Sequence, residues 1–200
     1  MKTVLSILSL LLLGSASAIA QISSDDFGPL AEAMRTQSYQ AAYELSGTLL
    51  DDVDDDDEEG MTGMVRYIRL FSGAALIASE ELSYEDFEPV ASAMQGAFLL
   101  MPGHPTQLEN EDDLAFNTNV IEQKGDTVKV STVATNEDGT SIYAFEYFYL
   151  DESVDPEELD GSITRCGGRL EKVELNPNES TIWIMRLTVT DAKIQMMKGK

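Results

Sequence analysis

The segment Asp51-Asp52-Val53-Asp54-Asp55-Asp56-Asp57-Glu58-Glu59 sets carboxylates almost side by side, and carboxylate oxygens are the ligands that hard cations such as calcium take. Aligned with an EF-hand loop that begins at Asp52, the residues Asp52, Asp54 and Asp56 fall on ligand positions. Asp57 then stands where the turn glycine belongs, and Gly63 where the bidentate glutamate closes the loop. The run is therefore not an EF-hand. It reads either as a looser calcium site on Asp52, Asp54 and Asp56 or as a solvated loop whose final acids favour the N-terminus of the next helix. No other cofactor is expected.

The remaining chemistry-bearing residues form no familiar constellation. His104 is the sole histidine, which excludes a multi-histidine zinc site and an H-E-x-x-H helix, and between Gly103 and Pro105 it reads as a turn residue. No G-x-S-x-G elbow accompanies it. Cys166 is the sole cysteine, so no intramolecular disulfide can form, and its setting in Arg165-Cys166-Gly167-Gly168 reads as structural. That glycine pair lacks the lysine and spacing of a phosphate loop. Asn178-Glu179-Ser180 is a glycosylation sequon on an expected turn. Acids are so abundant that some pair will lie at catalytic separation by chance, which removes the value of that signal.

The elements that would position these residues follow from hydrophobic period. From Ser24 to Leu99 the apolar residues recur at helical spacing. Helices are expected over 26–35, 39–50 and 58–79, the last with Met61, Met64, Val65, Ile68, Phe71 and Ala75 inward. A fourth opens at the S-x-x-D cap of Ser83 and Asp86 and buries Phe87, Val90, Met94 and Phe98. The Tyr39, Ala42, Leu45 pattern, preceded by a helix and a tight turn, resembles the helix-turn-helix of a tetratricopeptide repeat over residues 23–56. The Trp-x-x-Leu-Gly opening is absent, aspartates replace the closing proline, and residues 57–90 do not repeat the pattern. The resemblance implies a protein-interaction module, against the plain alternative of a helical hairpin.

Met101-Pro102-Gly103-His104-Pro105 stops the helices, and 101–113 reads as a linker. Beyond it the period becomes two. Strands are expected over 116–121, 127–133, 140–150, 168–175 and 180–190, with a helical turn at Asp155-Pro156-Glu157-Glu158-Leu159. In the third strand Tyr143, Tyr147 and Tyr149 share a face, and Trp183 begins the corresponding face of the last. These aromatics are a candidate binding surface, although core packing explains them equally well. Five antiparallel strands with a helix between the third and fourth give the order of an OB-like barrel, or of a simple meander.

The domain plan is thus a signal peptide over 1–20, a helical region over 21–100, a linker over 101–113 and a five-stranded antiparallel region over 114–200, an α+β chain. Lys2 and the apolar run from Val4 to Leu13 precede small residues with A-x-A cleavage patterns before Ile19 and before Gln21, the second favoured. The run is too short to span a bilayer, and no cysteine near the junction offers a lipid anchor. Export to the periplasm or the extracellular space is expected.

With 36 acidic against 13 basic side chains and a net charge of −23, nucleic acid is an unfavourable partner, because binding it depends on neutralised phosphates. Anionic membranes are disfavoured by the same field. The reading is an exported, acidic, non-catalytic module that binds a protein or small ligand. The alternatives are a secreted hydrolase using unassigned carboxylates and a calcium-binding surface protein.

Overall fold

The computed structural model describes residues 22–51, 53, 60–109, 115–178 and 183–197. Helix α1 (Ser24–Arg35) starts at a reciprocal capping box: the Asp26 amide donates to Ser23 Oγ, and the Ser23 amide donates to the Asp26 carboxylate. Gln37, at φ 54°, makes the tight turn into α2 (Tyr39–Leu50). Helix α3 (Gly60–Ala78) is buried over most of its circumference, as expected of a helix that is apolar on all sides. It lies between α2 and α4 (Tyr84–Ala93) and the sheet, where it packs on β1 (Phe98–Leu100), β5 (Ile142–Leu150) and β7 (Trp183–Met196). Ser83 caps α4, its Oγ accepting from the Asp86 amide at 3.1 Å.

Close approach to α3 depends on side chains that are missing. A Cβ on Gly73 would lie 2.2 Å from the Phe87 ring of α4, and one on Gly63 would lie 2.7 Å from the Phe98 ring of β1. The helices and the sheet share one buried cluster, with Leu30, Leu70, Phe87, Leu99, Phe148 and Leu187 among its fully enclosed members.

The remaining strands are β2 (His104–Leu108), β3 (Asn119–Lys124), β4 (Thr127–Thr135) and β6 (Ile163–Leu175), with the short helix α5 (Pro156–Leu159) before β6. Asp155 caps α5 as its sequence suggests, accepting from the Glu157 amide at 3.0 Å. The hydrogen-bonded order is β1-β6-β2-β3-β4-β5-β7, and β6 also pairs with β7. Two pairings, β2 with β3 and β5 with β7, are parallel, and the others antiparallel.

This mixed seven-stranded sheet replaces the expected five antiparallel strands and the OB-like barrel. Three physical causes account for the difference. Strand β1 has three residues, too few to display a period of two, so Phe98 reads as a continuation of the preceding helix. Strand β2 lies inside the expected linker, where Pro105 and its polar neighbours hide it; Pro105 pairs with Ile163 close to the N-terminal end of β6. Finally, β7 does not simply follow β6 at the edge. It inserts between β5 and β6, parallel to the first and antiparallel to the second, because α5 and β6 together give a crossover long enough for a parallel pairing.

Candidate functional site

Along β6, Arg165, Gly167 and Arg169 alternate with the enclosed Cys166 and with Gly168. On β7, Asp191, Lys193 and Gln195 form the matching outward row. The register sets Arg165 opposite Gln195 and Gly167 opposite Lys193, and a bulge follows at Gly167/Arg169. These residues, with Phe98 and Leu100 of β1, enclose a cleft of about 520 Å³. Gly167 lets β1 approach, since a Cβ there would meet Leu100 Cδ1 at 2.9 Å and the Leu99 carbonyl oxygen at 3.0 Å. Asp191 adopts φ 49° as the strand passes the rim of the cleft.

Both arginines of this cleft donate to neutral acceptors. Arg165 donates from Nε and Nη2 to Gln195 Oε1 at 3.0 and 2.7 Å, which fixes the plane of its guanidinium. Arg169 donates from Nη1 to the Gly96 carbonyl at 2.5 Å. Three of the chain's 13 cations thus line one cleft of a strongly acidic protein. Asp151 and Asp191 lie on the same lining.

A second concavity, of about 390 Å³, opens between α2, α3 and α4. Its two arginines have structural duties. Arg66, 4% exposed, donates to the Phe98 carbonyl at 3.3 Å. Arg69 stacks over the Tyr43 ring at 3.5 Å and donates to the Tyr43 carbonyl; burial lowers its pKa from the usual arginine value.

A group of strongly perturbed side chains lies between α3 and the sheet, outside the cleft lining. Glu146 of β5 is fully enclosed and accepts from the Tyr67 hydroxyl at 2.8 Å, and burial pushes its carboxyl up to about 8. Burial also raises the Tyr67 phenol and the Cys166 thiol, each further raised by the negative charge of Glu146. A buried polar chain crosses the neighbouring strands. The Thr106 and Thr164 hydroxyls share a hydrogen bond of 2.6 Å, the Asn119 amide donates to Thr164 Oγ1 at 2.9 Å, and Thr132 donates to Asn119 Oδ1 at 2.8 Å. Thr132 is the register partner of Glu146.

The candidate calcium ligands Asp52, Asp54 and Asp56 lie outside the described residues, as do the first 21 residues and part of the sequon. Among the described residues, no group of three or more His, Cys, Asp or Glu side chains is placed to hold a metal ion. No described helix is long and apolar enough to cross a membrane. The four aromatics do not form one exposed face. Tyr143 is 6% exposed and packs edge-on against Tyr39 and Phe71 of the helical layer. Tyr147 is half-buried beneath Lys129, Tyr149 is 40% exposed, and Trp183 stacks with Phe145 and under Arg186. His104 opens β2 rather than a turn, and desolvation lowers its pKa.

Comparison with protein-family models, curated proteins and solved structures gives no match. In the sequence the cleft residues are obscured by Cys166, the one thiol, which stands between Arg165 and Gly167. Arg165-x-Gly167-x-Arg169 carries a usable signal, two cations and a glycine on one strand face. The register that adds Lys193 is a property of the fold.

Proposed function

We propose that this chain is an exported, non-catalytic binding protein whose ligand occupies the cleft between β6, β7 and β1. The observation that carries the reading is the convergence of Arg165, Arg169 and Lys193 beside the apolar Phe98 and Leu100, in a chain of net charge −23. A concave, largely preformed site with a few placed polar groups is the usual form of a small-ligand pocket. The cleft rests on paired strands, which hold most of its side chains in place.

The same residues supply charge and hydrogen bonds rather than acid–base chemistry. Glu146, whose raised protonation range would suit a general acid, is 0% exposed and does not line the cleft. The hydrolase alternative therefore draws no support from it. Export rests on Lys2, the Val4–Leu13 run and the A-x-A junction.

The test is recovery of the tagged chain from its native exported fraction, with bound molecules identified by mass spectrometry. Wild type should retain a molecule that Lys193→Glu loses at unchanged melting temperature, and the mature chain should begin at Gln21. An intact Met1 in exported material overturns the export reading. Equal retention by both proteins overturns the cleft.

A further inference from the structure

We propose that the adjacent Met196 and Met197 are a modification site for hydroperoxides, and that oxidation of Met197 to the sulfoxide unseats the end of β7 from Gly103, the residue before β2. The inference stands apart from the cleft reading. Its first ground is the distribution of sulfur. Met196 is 47% exposed and Met197 44%, whereas Met101 and Met185 are fully enclosed. Met34, Met61, Met64 and Met94 are half-buried against the core. Cys166 is enclosed, and burial raises its pKa, so the reactive thiolate is scarce. Susceptibility to oxidation follows exposure, and an oxidant arriving from solvent meets the two terminal methionines first.

The second ground is their place in the sheet. The β5 ladder ends where Leu150 meets Ala192, four positions short of Met196, and this end of β7 pairs with β6. Met196 is the register partner of Thr164. Met197 continues the ladder, its amide donating to the Ile163 carbonyl at 2.8 Å. Successive residues of a strand point to opposite faces, so each face of this strand end carries one thioether.

The third ground is the seat of Met197. A Cβ on Gly103 would lie 2.2 Å from Met197 Sδ and 3.1 Å from Ile163 Cγ2. The thioether thus rests on bare backbone, beside an apolar side chain. In the reaction a sulfur lone pair attacks one oxygen of the hydroperoxide. The S–O bond forms as the O–O bond breaks, sulfur gives up two electrons, and the other oxygen leaves with the proton as water or an alcohol. The product is a polar, chiral sulfoxide. An oxygen set between sulfur and Gly103 has no room, and one set outward draws water into an apolar contact. The side chain leaves its seat, while the backbone bond to Ile163 can remain.

The test is graded treatment of the folded chain with hydrogen peroxide, read by peptide-mapping mass spectrometry and by thermal melting. The peptide that contains Met196 and Met197 should gain oxygen at least about tenfold faster than those containing Met101, Met185 or Cys166. Unfolding the chain beforehand should erase the difference among the methionines. Oxidised wild type should melt about 2–4 °C lower. Met197→Leu keeps Met196 and an apolar side chain of similar volume, and should escape that loss. Equal rates across the folded chain overturn the site. An unchanged melting temperature after oxidation of the pair, or a loss that persists in Met197→Leu, overturns the unseating of Met197.

Discussion

The Tyr67 hydroxyl donates to Glu146 Oε1 at 2.8 Å, joining the central helix α3 to strand β5 through a carboxyl that no solvent reaches. Glu146 Oε2 is equally enclosed and has no hydrogen-bond partner among the described residues. The groups known to bear on this carboxyl are Tyr67 from α3 and Cys166 from β6. Neither is a cation, so the protonated form is the one the fold favours.

The first prediction concerns the pH dependence of stability. Unfolded, Glu146 titrates near the ordinary glutamate value of about 4.3; folded, burial pushes it up to about 8. Between these values the native chain holds a proton that the unfolded chain has released, so stability falls as pH rises through that window. The slope approaches about 1.4 kcal/mol per pH unit. Glu146→Gln keeps an acceptor for Tyr67 and cannot ionise. Chemical denaturation from pH 5 to 8 should show a slope lower by up to one proton in the variant. Equal slopes would mean that Glu146 is not the titrating group.

Glu122 behaves in the opposite sense. Lys124 beside it and Lys129, its partner across β3 and β4, hold its carboxylate down to about 2. The stabilisation is present above the unfolded glutamate value and is lost as pH falls toward 2. Glu122→Gln should therefore flatten the acid limb of the melting-temperature profile and leave the neutral region nearly unchanged. An unaltered acid limb would remove the pair from the account of acid stability.

Gly73→Ala sets propensity against packing. Alanine is favoured over glycine in a helix interior by about 1 kcal/mol. The added methyl meets the fully buried Phe87 ring at 2.2 Å, and overpacking of this kind costs about 1–3 kcal/mol. We expect net destabilisation, read as a lower denaturation midpoint. A rise in the midpoint would show that the ring can move aside. Phe87→Ala in the same background should then relieve the clash, so that the two substitutions are not additive.

The buried chain around Asn119 makes a coupled prediction. Thr132→Val leaves Asn119 Oδ1 without its 2.8 Å donor, and Asn119→Ala strands the Thr132 hydroxyl and takes one donor from the Thr164 hydroxyl, which keeps Thr106. Each single change should cost about 1–3 kcal/mol. The double variant should cost less than the sum, because both partners of one bond are then gone. Additive losses would indicate that the two residues do not interact.

Local chemistry made much of the helical half legible. Ser83 and Asp86 announced the cap of α4, Asp155 and Pro156 announced α5, and the Gln37 turn separates α1 from α2 at its expected place. Strands β4 and β5 declared themselves by their period. What stayed hidden was non-local. Phe98–Leu100 is a strand because Arg169 and Gly167 pair with it, and its own three residues do not say so. Tyr143 shares the sequence pattern of Tyr149, yet the bulge opposite Ala134/Thr135 and the packing of Tyr39 and Phe71 bring it into the core. The cleft depended on the same kind of information, since Lys193 and Gly167 are matched by the β6–β7 register alone.

The position of β7 also bears on how the molecule is assembled. It follows β5 and β6 in the chain, yet it supplies the pairing surface for both. Until Trp183–Met196 has emerged, each of those strands presents backbone donors and acceptors along one side with nothing to receive them. A chain stopped before Trp183 should collapse around its helices and adhere to other copies through these open edges. Completion of the sheet is thus a late event that brings distant segments together, which favours slow folding. A polypeptide that delays its final pairing in this way stays suited to threading through a narrow channel before it becomes solid.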